Sequence, residues 1–280
     1  MPQPLYTFGG DGPIMHIAVA NGFPPQTYQP LLQPFTARYR VVCLPPRALW
    51  PDAPLPPEQP GSWRSLADDL LAGIHQYNLT DIIALGHSFG GIASLLAALD
   101  EPERFRALIL LDPTIPAPEL MQMVRHAQET GQTDLIPLVQ TAQRRRRNFD
   151  TVKEAYTYFK GKALFENWPD ESLRLYTESM LRPAGNGFEL AWTPEWEVYY
   201  YRSMYTDTWE VLPRLRGLLP TLVIRGEKTD TFVEESAARM KTLVPDATYV
   251  DIPEHGHLFP QSAPNETRQV IENWLIARGL

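Results

Sequence analysis

The chain has little cysteine, no excess of positive charge and no long apolar run. Cys43 is the single cysteine among 280 residues, so an internal disulfide is excluded, and its apolar surroundings predict a small core side chain. The formal net charge is −8, and no basic stripe with interleaved aromatics occurs. We therefore expect no nucleic-acid partner, and the four arginines at residues 144–147 predict a solvated helix face.

Membrane-spanning segments are also missing from the sequence. No stretch approaches the roughly twenty apolar residues that a helix needs to cross a bilayer. The first residues lack the basic start and apolar run of a signal peptide. We expect a cytoplasmic protein, and with 44% hydrophobic residues the chain can bury a full core.

A Gly-x-Ser-x-Gly pentad at residues 86–90 is the most informative motif that is present. It follows residues 81–85, which predict a buried strand, and precedes residues 91–99, which predict a helix. In that context the chain turns sharply at the serine, and the flanking glycines let neighbouring backbones approach. The pattern predicts that Ser88 is a catalytic nucleophile.

A serine hydroxyl is a poor nucleophile at neutral pH until a histidine accepts its proton. His255 and His257 lie in a polar loop between a predicted strand, residues 247–252, and a predicted helix, residues 263–277. We assign His257 as the base. A His-x-His pair without further ligands is a weak metal motif, so we expect no metal and no cofactor.

The base needs a carboxylate that orients it. Residues 220–226 predict another buried strand, and Asp230 lies in the loop that follows it. We favour Asp230 as this acid. Asp112, which follows the apolar residues 107–111, and Glu227 remain alternatives.

The chain order Ser88, Asp230, His257 resembles the α/β-hydrolase superfamily, in which nucleophile, acid and histidine follow in that order. The resemblance covers nearly the whole chain apart from a variable middle segment, and it is specific for fold rather than substrate. It implies an α/β fold with a mainly parallel central sheet flanked by helices, and an inserted helical cap.

The resemblance also implies an oxyanion hole made of two backbone N–H groups. One donor in this family comes from the loop after an early strand, often within a His-Gly pair, and here Asn21 stands in place of the histidine. The expected donor is Phe23, because the two prolines that follow it have no N–H. Phe89, directly after the nucleophile, is the expected second donor.

Strands and helices alternate outside the middle of the chain, which predicts a sheet covered on both faces. We expect residues 1–113 and 211–280 to form the hydrolase core and residues 114–210 to form the helical cap. The sheet is expected to lack the first strand that many relatives have. The predicted strands are residues 5–8, 14–20, 39–44, 82–85, 107–111, 222–224 and 248–252.

Aromatic residues concentrate in the later part of the predicted cap. Large rings with a polar group can line an apolar pocket, which would suit a hydrophobic acyl or aromatic substrate. The same rings could attach the cap to the core, and the sequence leaves both interpretations open. The predicted pocket residues are Trp168, Trp192, Trp196 and Tyr200.

These features together predict a cofactor-independent serine hydrolase that cleaves small or medium hydrophobic carboxylic esters through an acyl-enzyme. Relatives with the same fold and triad include thioesterases, lactonases, amidases, carbon–carbon bond hydrolases and cofactor-free haloperoxidases, and the sequence does not separate them. A small-molecule receptor with a slow triad is the alternative of a different class. The complete set of triad residues argues against it.

Overall fold

A computed structural model describes residues 2–51 and 54–280 of the chain. Within these residues a seven-stranded sheet forms the centre and a three-stranded sheet lies apart from it. The central sheet contains β1 (Tyr6–Gly9), β2 (Ile14–Ala18), β3 (Arg40–Cys43), β4 (Ile82–His87), β5 (Phe105–Leu111), β9 (Thr221–Gly226) and β10 (Thr248–Ile252). The small sheet contains β6 (Asn148–Phe149), β7 (Leu181–Ala184) and β8 (Gly187–Leu190).

Helices cover the central sheet and fill the segment between β5 and β9. Across the described residues, every helix falls short of the length or the apolar character needed to span a bilayer. The helices are α1 (Gln29–Leu32), α2 (Arg64–Gln76), α3 (Phe89–Asp100), α4 (Pro118–Glu129), α5 (Pro137–Gln143), α6 (Val152–Lys160), α7 (Asp170–Ser179), α8 (Pro194–Arg202), α9 (Thr208–Val211), α10 (Glu234–Leu243), α11 (Phe259–Ser262) and α12 (Pro264–Arg278).

The central sheet has the order β1-β3-β2-β4-β5-β9-β10. β1 pairs with β3 in an antiparallel manner, and the other neighbours are parallel. Every residue of β4 is buried, as expected for a strand covered by helices on both faces. The prediction of a mainly parallel sheet made from seven strands is therefore confirmed.

The middle segment, residues 114–210, was predicted to be helical, but in the structure it also contains strands. It contains α4 to α8, most of α9 and the small antiparallel sheet, in which β8 lies between β6 and β7. Its strands have two to four residues, too short for an alternating pattern to be visible in the sequence. Gly185, with φ of 56°, turns the chain between the paired residues Ala184 and Gly187.

One apolar cluster extends from the central sheet into this middle segment. Phe89 at the start of α3 packs against Trp192 and Tyr200, with ring centroids 6.3 and 5.2 Å away. All three side chains belong to the same buried core. The middle segment and the sheet are thus held together by shared packing, which fixes the walls of the space between them.

His16 is a buried histidine in β2 of the central sheet. The backbone N–H of Leu44 donates to its Nε2 at 3.0 Å, so the ring carries its proton on Nδ1. Burial lowers the pKa of His16 from 6.5 to about 3. In the unfolded chain His16 therefore binds a proton below pH 6.5, whereas in the folded chain it binds one only below about pH 3. Between these two pH values the free energy of unfolding falls as the pH falls.

We expect His16→Gln to flatten the pH dependence of stability, since the glutamine carbonyl can still accept from Leu44 and does not titrate. Between pH 7 and pH 5 the wild type should lose about 2 kcal/mol more unfolding free energy than the variant. Urea unfolding at both pH values measures the difference. His126→Gln, at an exposed histidine, is the matched control. Equal losses in His16→Gln and wild type would contradict the assignment.

Candidate active site

The predicted turn at the pentad is present between β4 and α3. Ser88 adopts φ of 58° and ψ of −123°, a conformation that costs a serine free energy and is found where function requires it. A Cβ on Gly90 would lie 2.3 Å from the carbonyl oxygen of Ala18, and one on Gly86 would lie 2.5 Å from the carbonyl oxygen of Gly90. Both glycines are therefore required for the backbone contacts that shape this turn.

The structure brings the predicted nucleophile and base together. Ser88 Oγ lies 2.9 Å from Nε2 of His257, and 3.1 Å from Oγ1 of Thr114. His257 comes from the loop between β10 and α11, and its side chain is 20% exposed. The hydroxyl can thus pass its proton directly to the imidazole, while one edge of the ring remains accessible to a small molecule.

The carboxylate that contacts His257 is Asp112 and not Asp230, and this corrects the assignment favoured from the sequence. Nδ1 of His257 donates to Oδ2 of Asp112 at 2.6 Å. Asp230 is exposed, and its carboxylate accepts from the neighbouring Thr231 hydroxyl at 3.2 Å. The other alternative, Glu227, accepts the backbone N–H of Glu254.

The last residue of β9 and the loop after it supply hydrogen-bond donors to Asp112, and the carboxylate of Asp230 in that loop is not the one that contacts His257. The N–H of Gly226 donates to Oδ1 of Asp112 at 2.9 Å, and the hydroxyl of Thr229 donates to Oδ2 at 2.6 Å. Asp112 is fully buried, so these donors replace the water that its carboxylate loses. They also fix the orientation of the oxygen that meets His257.

His87 connects three loops of the site. Burial, and then the neighbouring His257, lower the pKa of His87 well below 6.5, so the ring is neutral. A carbonyl can only accept, so Nε2 of His87 donates to the carbonyl oxygen of His257 at 2.9 Å. Its Nδ1 then accepts from the hydroxyl of Tyr28 at 2.7 Å, and that hydroxyl accepts the N–H of Ala20 at 2.9 Å.

Phe23, the first predicted oxyanion donor, lies in a loop that is closed by a hydrogen bond from its own backbone N–H. The N–H of Phe23 donates to the carbonyl oxygen of Ala20 at 3.1 Å, across Gly22 with φ of 83°. Asn21, which replaces the familiar histidine, donates from Nδ2 to the carbonyl oxygen of Glu197 in α8 at 3.0 Å. Phe89 is the first residue of α3, so its N–H has no acceptor within the helix.

A cleft of about 600 Å³ opens over Ser88 and His257. The loops of the central sheet supply one part of its wall, and the middle segment supplies the rest. Both predicted oxyanion residues, Phe23 and Phe89, lie on the wall, as does Asp230. The middle segment contributes Thr114, Leu138, Thr141, Ala142, Arg144, Arg145, Tyr158, Phe159, Lys162, Leu164, Phe165, Tyr176, Glu197, Tyr201 and Met204.

The four aromatic residues predicted to line the pocket are absent from this wall as the described residues form it: Trp168, Trp192, Trp196 and Tyr200. Nε1 of Trp196 donates to the carbonyl oxygen of Pro54 at 3.1 Å, and Nε1 of Trp63 donates to the carbonyl oxygen of Tyr200 at 2.7 Å. Trp192 is fully buried. The prediction was wrong because these rings face the core and attach the middle segment to it.

Arg145 is a wall residue that the sequence pattern placed on a solvated face. Its side chain is 16% exposed and forms an ion pair with Glu197 and a hydrogen bond to the hydroxyl of Tyr176. Burial is the largest single effect and acts to lower the pKa of Arg145, but the charge and hydrogen bond of Glu197 together with the neighbouring tyrosines outweigh it, and the pKa is raised. No periodic pattern in the arginine run distinguishes this position from its neighbours.

The arrangement is suited to acyl transfer. A nucleophile, a base and a buried carboxylate form one continuous chain of contacts beside a helix N-terminus, which favours developing negative charge. Over residues 2–51 and 54–280, no group of three or more His, Cys, Asp or Glu side chains is placed to hold a metal ion.

Comparison with known proteins identifies the family and the fold of the chain. Residues 18–262 match the family described as alpha/beta hydrolase fold. A 2-(acetamidomethylene)succinate hydrolase from Mesorhizobium japonicum is 24% identical, with 96% of this chain and 90% of the relative covered. The crystal structure of E-2-(acetamidomethylene)succinate hydrolase has a TM-score of 0.78 at 21% identity, covering 97% and 94% of the two chains. An enol-lactonase from Burkholderia xenovorans has a TM-score of 0.67 at 15% identity, covering 98% and 96%.

Proposed function

Because the chain belongs to the alpha/beta hydrolase family, we propose that it hydrolyses carboxylic esters of small molecules through an acyl-enzyme on Ser88. The observation that carries the proposal is the pair of contacts Ser88 Oγ to His257 Nε2, 2.9 Å, and His257 Nδ1 to Asp112 Oδ2, 2.6 Å. This is the geometry that a serine needs to become nucleophilic at neutral pH.

In the first half-reaction the hydroxyl of Ser88 attacks the carbonyl carbon while His257 accepts its proton on Nε2. Asp112 keeps the other ring proton on Nδ1 and stabilises the imidazolium that forms. The tetrahedral intermediate then collapses, and His257 returns the proton to the departing alcohol. The acyl group remains on Ser88 as an ester.

The negative oxygen of the tetrahedral intermediate needs donors on the other side of the carbonyl. The N–H of Phe89 is free of any helical acceptor and meets this need at the helix N-terminus. The N–H of Phe23 already donates to Ala20, so it contributes as a hydrogen shared between that carbonyl and the oxyanion. We therefore assign the larger part of the stabilisation to Phe89.

In the second half-reaction water replaces the alcohol. His257 removes a proton from the water as its oxygen attacks the acyl carbon, and then returns that proton to Ser88 as the carboxylic acid leaves. The cleft of about 600 Å³ limits the substrate to a small molecule. Its wall carries charged groups beside apolar ones, so the purely hydrophobic ester expected from the aromatic residues is not the best fit.

Amide hydrolysis by the same residues is a second candidate. The Mesorhizobium relative is named for a substrate that contains an acetamido group. An amide nitrogen must be protonated before it can leave, so amide hydrolysis depends more strongly on proton donation by His257 than ester hydrolysis does. The close contact between His257 and Asp112 favours such delivery, since it holds the imidazole in one orientation.

A fluorophosphonate probe tests the proposal, read by intact mass and peptide mapping. We expect one adduct, on Ser88, and hydrolysis of p-nitrophenyl esters that is fastest for short acyl chains. The matched p-nitroanilides, with the same acyl groups, separate the two candidates: faster turnover of the anilides would favour the amide reaction. Folded protein with neither adduct nor turnover would overturn the proposal, as would an adduct on another serine alone.

A further inference from the structure

The cleft carries cations although the chain as a whole is acidic. The formal net charge of the chain is −8, yet Arg144, Arg145 and Lys162 all lie on the wall of the cleft. The carboxylates on the same wall are Glu197 and Asp230. Glu197 is neutralised by its ion pair with Arg145, so that pair leaves no net charge for a ligand.

Arg144 differs from the rest of its run. Among the described residues it has no carboxylate within 4.0 Å, and it is both exposed and part of the cleft wall. The other three arginines are ion-paired: Arg145 with Glu197, Arg146 with Glu154 and Arg147 with Glu195. A run of four arginines therefore leaves one guanidinium without a counter-charge, and that one faces the cleft.

Lys162 adds a second charge to the wall of the cleft. Its Nζ lies 4.3 Å from the ring centroid of Tyr158, which also lines the cleft. The ring positions the ammonium but does not cancel its charge. Within residues 2–51 and 54–280, Lys162 forms no ion pair with a carboxylate. Arg144 and Lys162 both come from the middle segment, whereas Ser88 and His257 come from loops of the central sheet.

Apolar side chains lie on the same wall as these charges. Leu138, Leu164 and Phe165 lie on the wall contributed by the same segment. Cations on such a low-dielectric wall attract an anion more strongly than they would on an open surface. A guanidinium can also hold a carboxylate with two parallel hydrogen bonds.

We propose that the substrate carries a carboxylate, which Arg144 and Lys162 bind on the wall formed by the middle segment while the scissile carbonyl lies against Ser88. This inference rests on the proposed function and narrows it to a substrate class: acyl compounds with a short apolar body and a free acid group. Asp230, exposed on the sheet side of the cleft, repels such an acid from the reacting end and favours one orientation.

Two matched esters test the proposal: the mono-p-nitrophenyl ester of succinic acid, and the same compound with its free acid converted to a methyl ester. We expect the wild type to favour the acid by about tenfold or more in kcat/KM. Arg144→Gln and Lys162→Gln should each lower this preference about threefold, and the double variant about tenfold, chiefly by raising KM for the acid. The preference of the wild type should also fall with added salt.

Arg147→Gln is the matched control, because it removes the same charge from an arginine that is paired with Glu195 and is not among the residues that line the described cleft. It should leave the ratio of the two kcat/KM values unchanged. The proposal is overturned if the double variant keeps the wild-type ratio, or if Arg147→Gln lowers the ratio equally. Labelling of Ser88 with turnover of the neutral ester, but no preference for the acid, would refute this inference alone. Loss of both labelling and turnover in folded wild type would refute the proposed function as well.

Discussion

Asp112→Asn is expected to lower kcat about 10⁴-fold, whereas Asp230→Asn is expected to leave kcat nearly unchanged. In the first variant an amide nitrogen faces Nδ1 of His257, so the imidazole must place its proton on Nε2 to accept that hydrogen bond. A ring with the proton on Nε2 cannot accept one from Ser88. Steady-state hydrolysis of a p-nitrophenyl ester by both variants measures the difference.

The two variants control for each other, since each removes one carboxylate charge without changing side-chain size. The amide introduced by Asp112→Asn can still accept from Gly226 through its carbonyl oxygen, and thermal unfolding followed by circular dichroism checks that the fold survives. A large loss in Asp230→Asn together with a small one in Asp112→Asn would reinstate the assignment made from the sequence. Equal, small losses would show that neither carboxylate orients the histidine.

The strands and the serine turn could be predicted because their signals are local. β4 is an unbroken buried run, and the glycines on either side of Ser88 are needed for contacts to backbone only a few residues away or on the adjoining strand. A short stretch of consecutive residues is enough to reveal such requirements. His257 could be predicted in the same way, because it lies in the loop that follows the last strand.

The choice between Asp112 and Asp230 could not be made in this way. Both follow a buried strand of the same sheet, so both fit the pattern, and the resemblance to the family favoured the later one. What decides is a set of hydrogen bonds between distant parts of the chain: Gly226 at the end of β9 and Thr229 in the loop after it donate to Asp112, whereas Asp230 is exposed on the wall of the cleft. A threonine directly before the exposed aspartate is the one trace of this arrangement in the sequence.

The pocket residues were missed for a related reason. Composition identifies an aromatic-rich segment, but whether Trp196 or Tyr200 faces the cleft or the core depends on how α8 is rotated against the sheet. The ion pair of Arg145 with Glu197 joins residues 52 positions apart, so neither position predicts the other. Side chains that meet across the cleft are set by packing between elements, which a single sequence does not specify.

Ser88→Ala is expected to have the largest effect, a loss of about 10⁶-fold in kcat with the fold retained. The loss should not grow when Asp112→Asn is added, because the acid acts only through His257 and the histidine acts only on the hydroxyl. Single-turnover hydrolysis by the wild type, both single variants and the double variant measures this non-additivity.

If the double variant were slower than Ser88→Ala by a further factor of about 10⁴, Asp112 would contribute independently of Ser88, and the single chain of contacts from Asp112 through His257 to Ser88 would not describe the reaction. A double variant equal to Ser88→Ala would leave only what the N–H of Phe89 and the cleft supply, which is catalysis by donors alone.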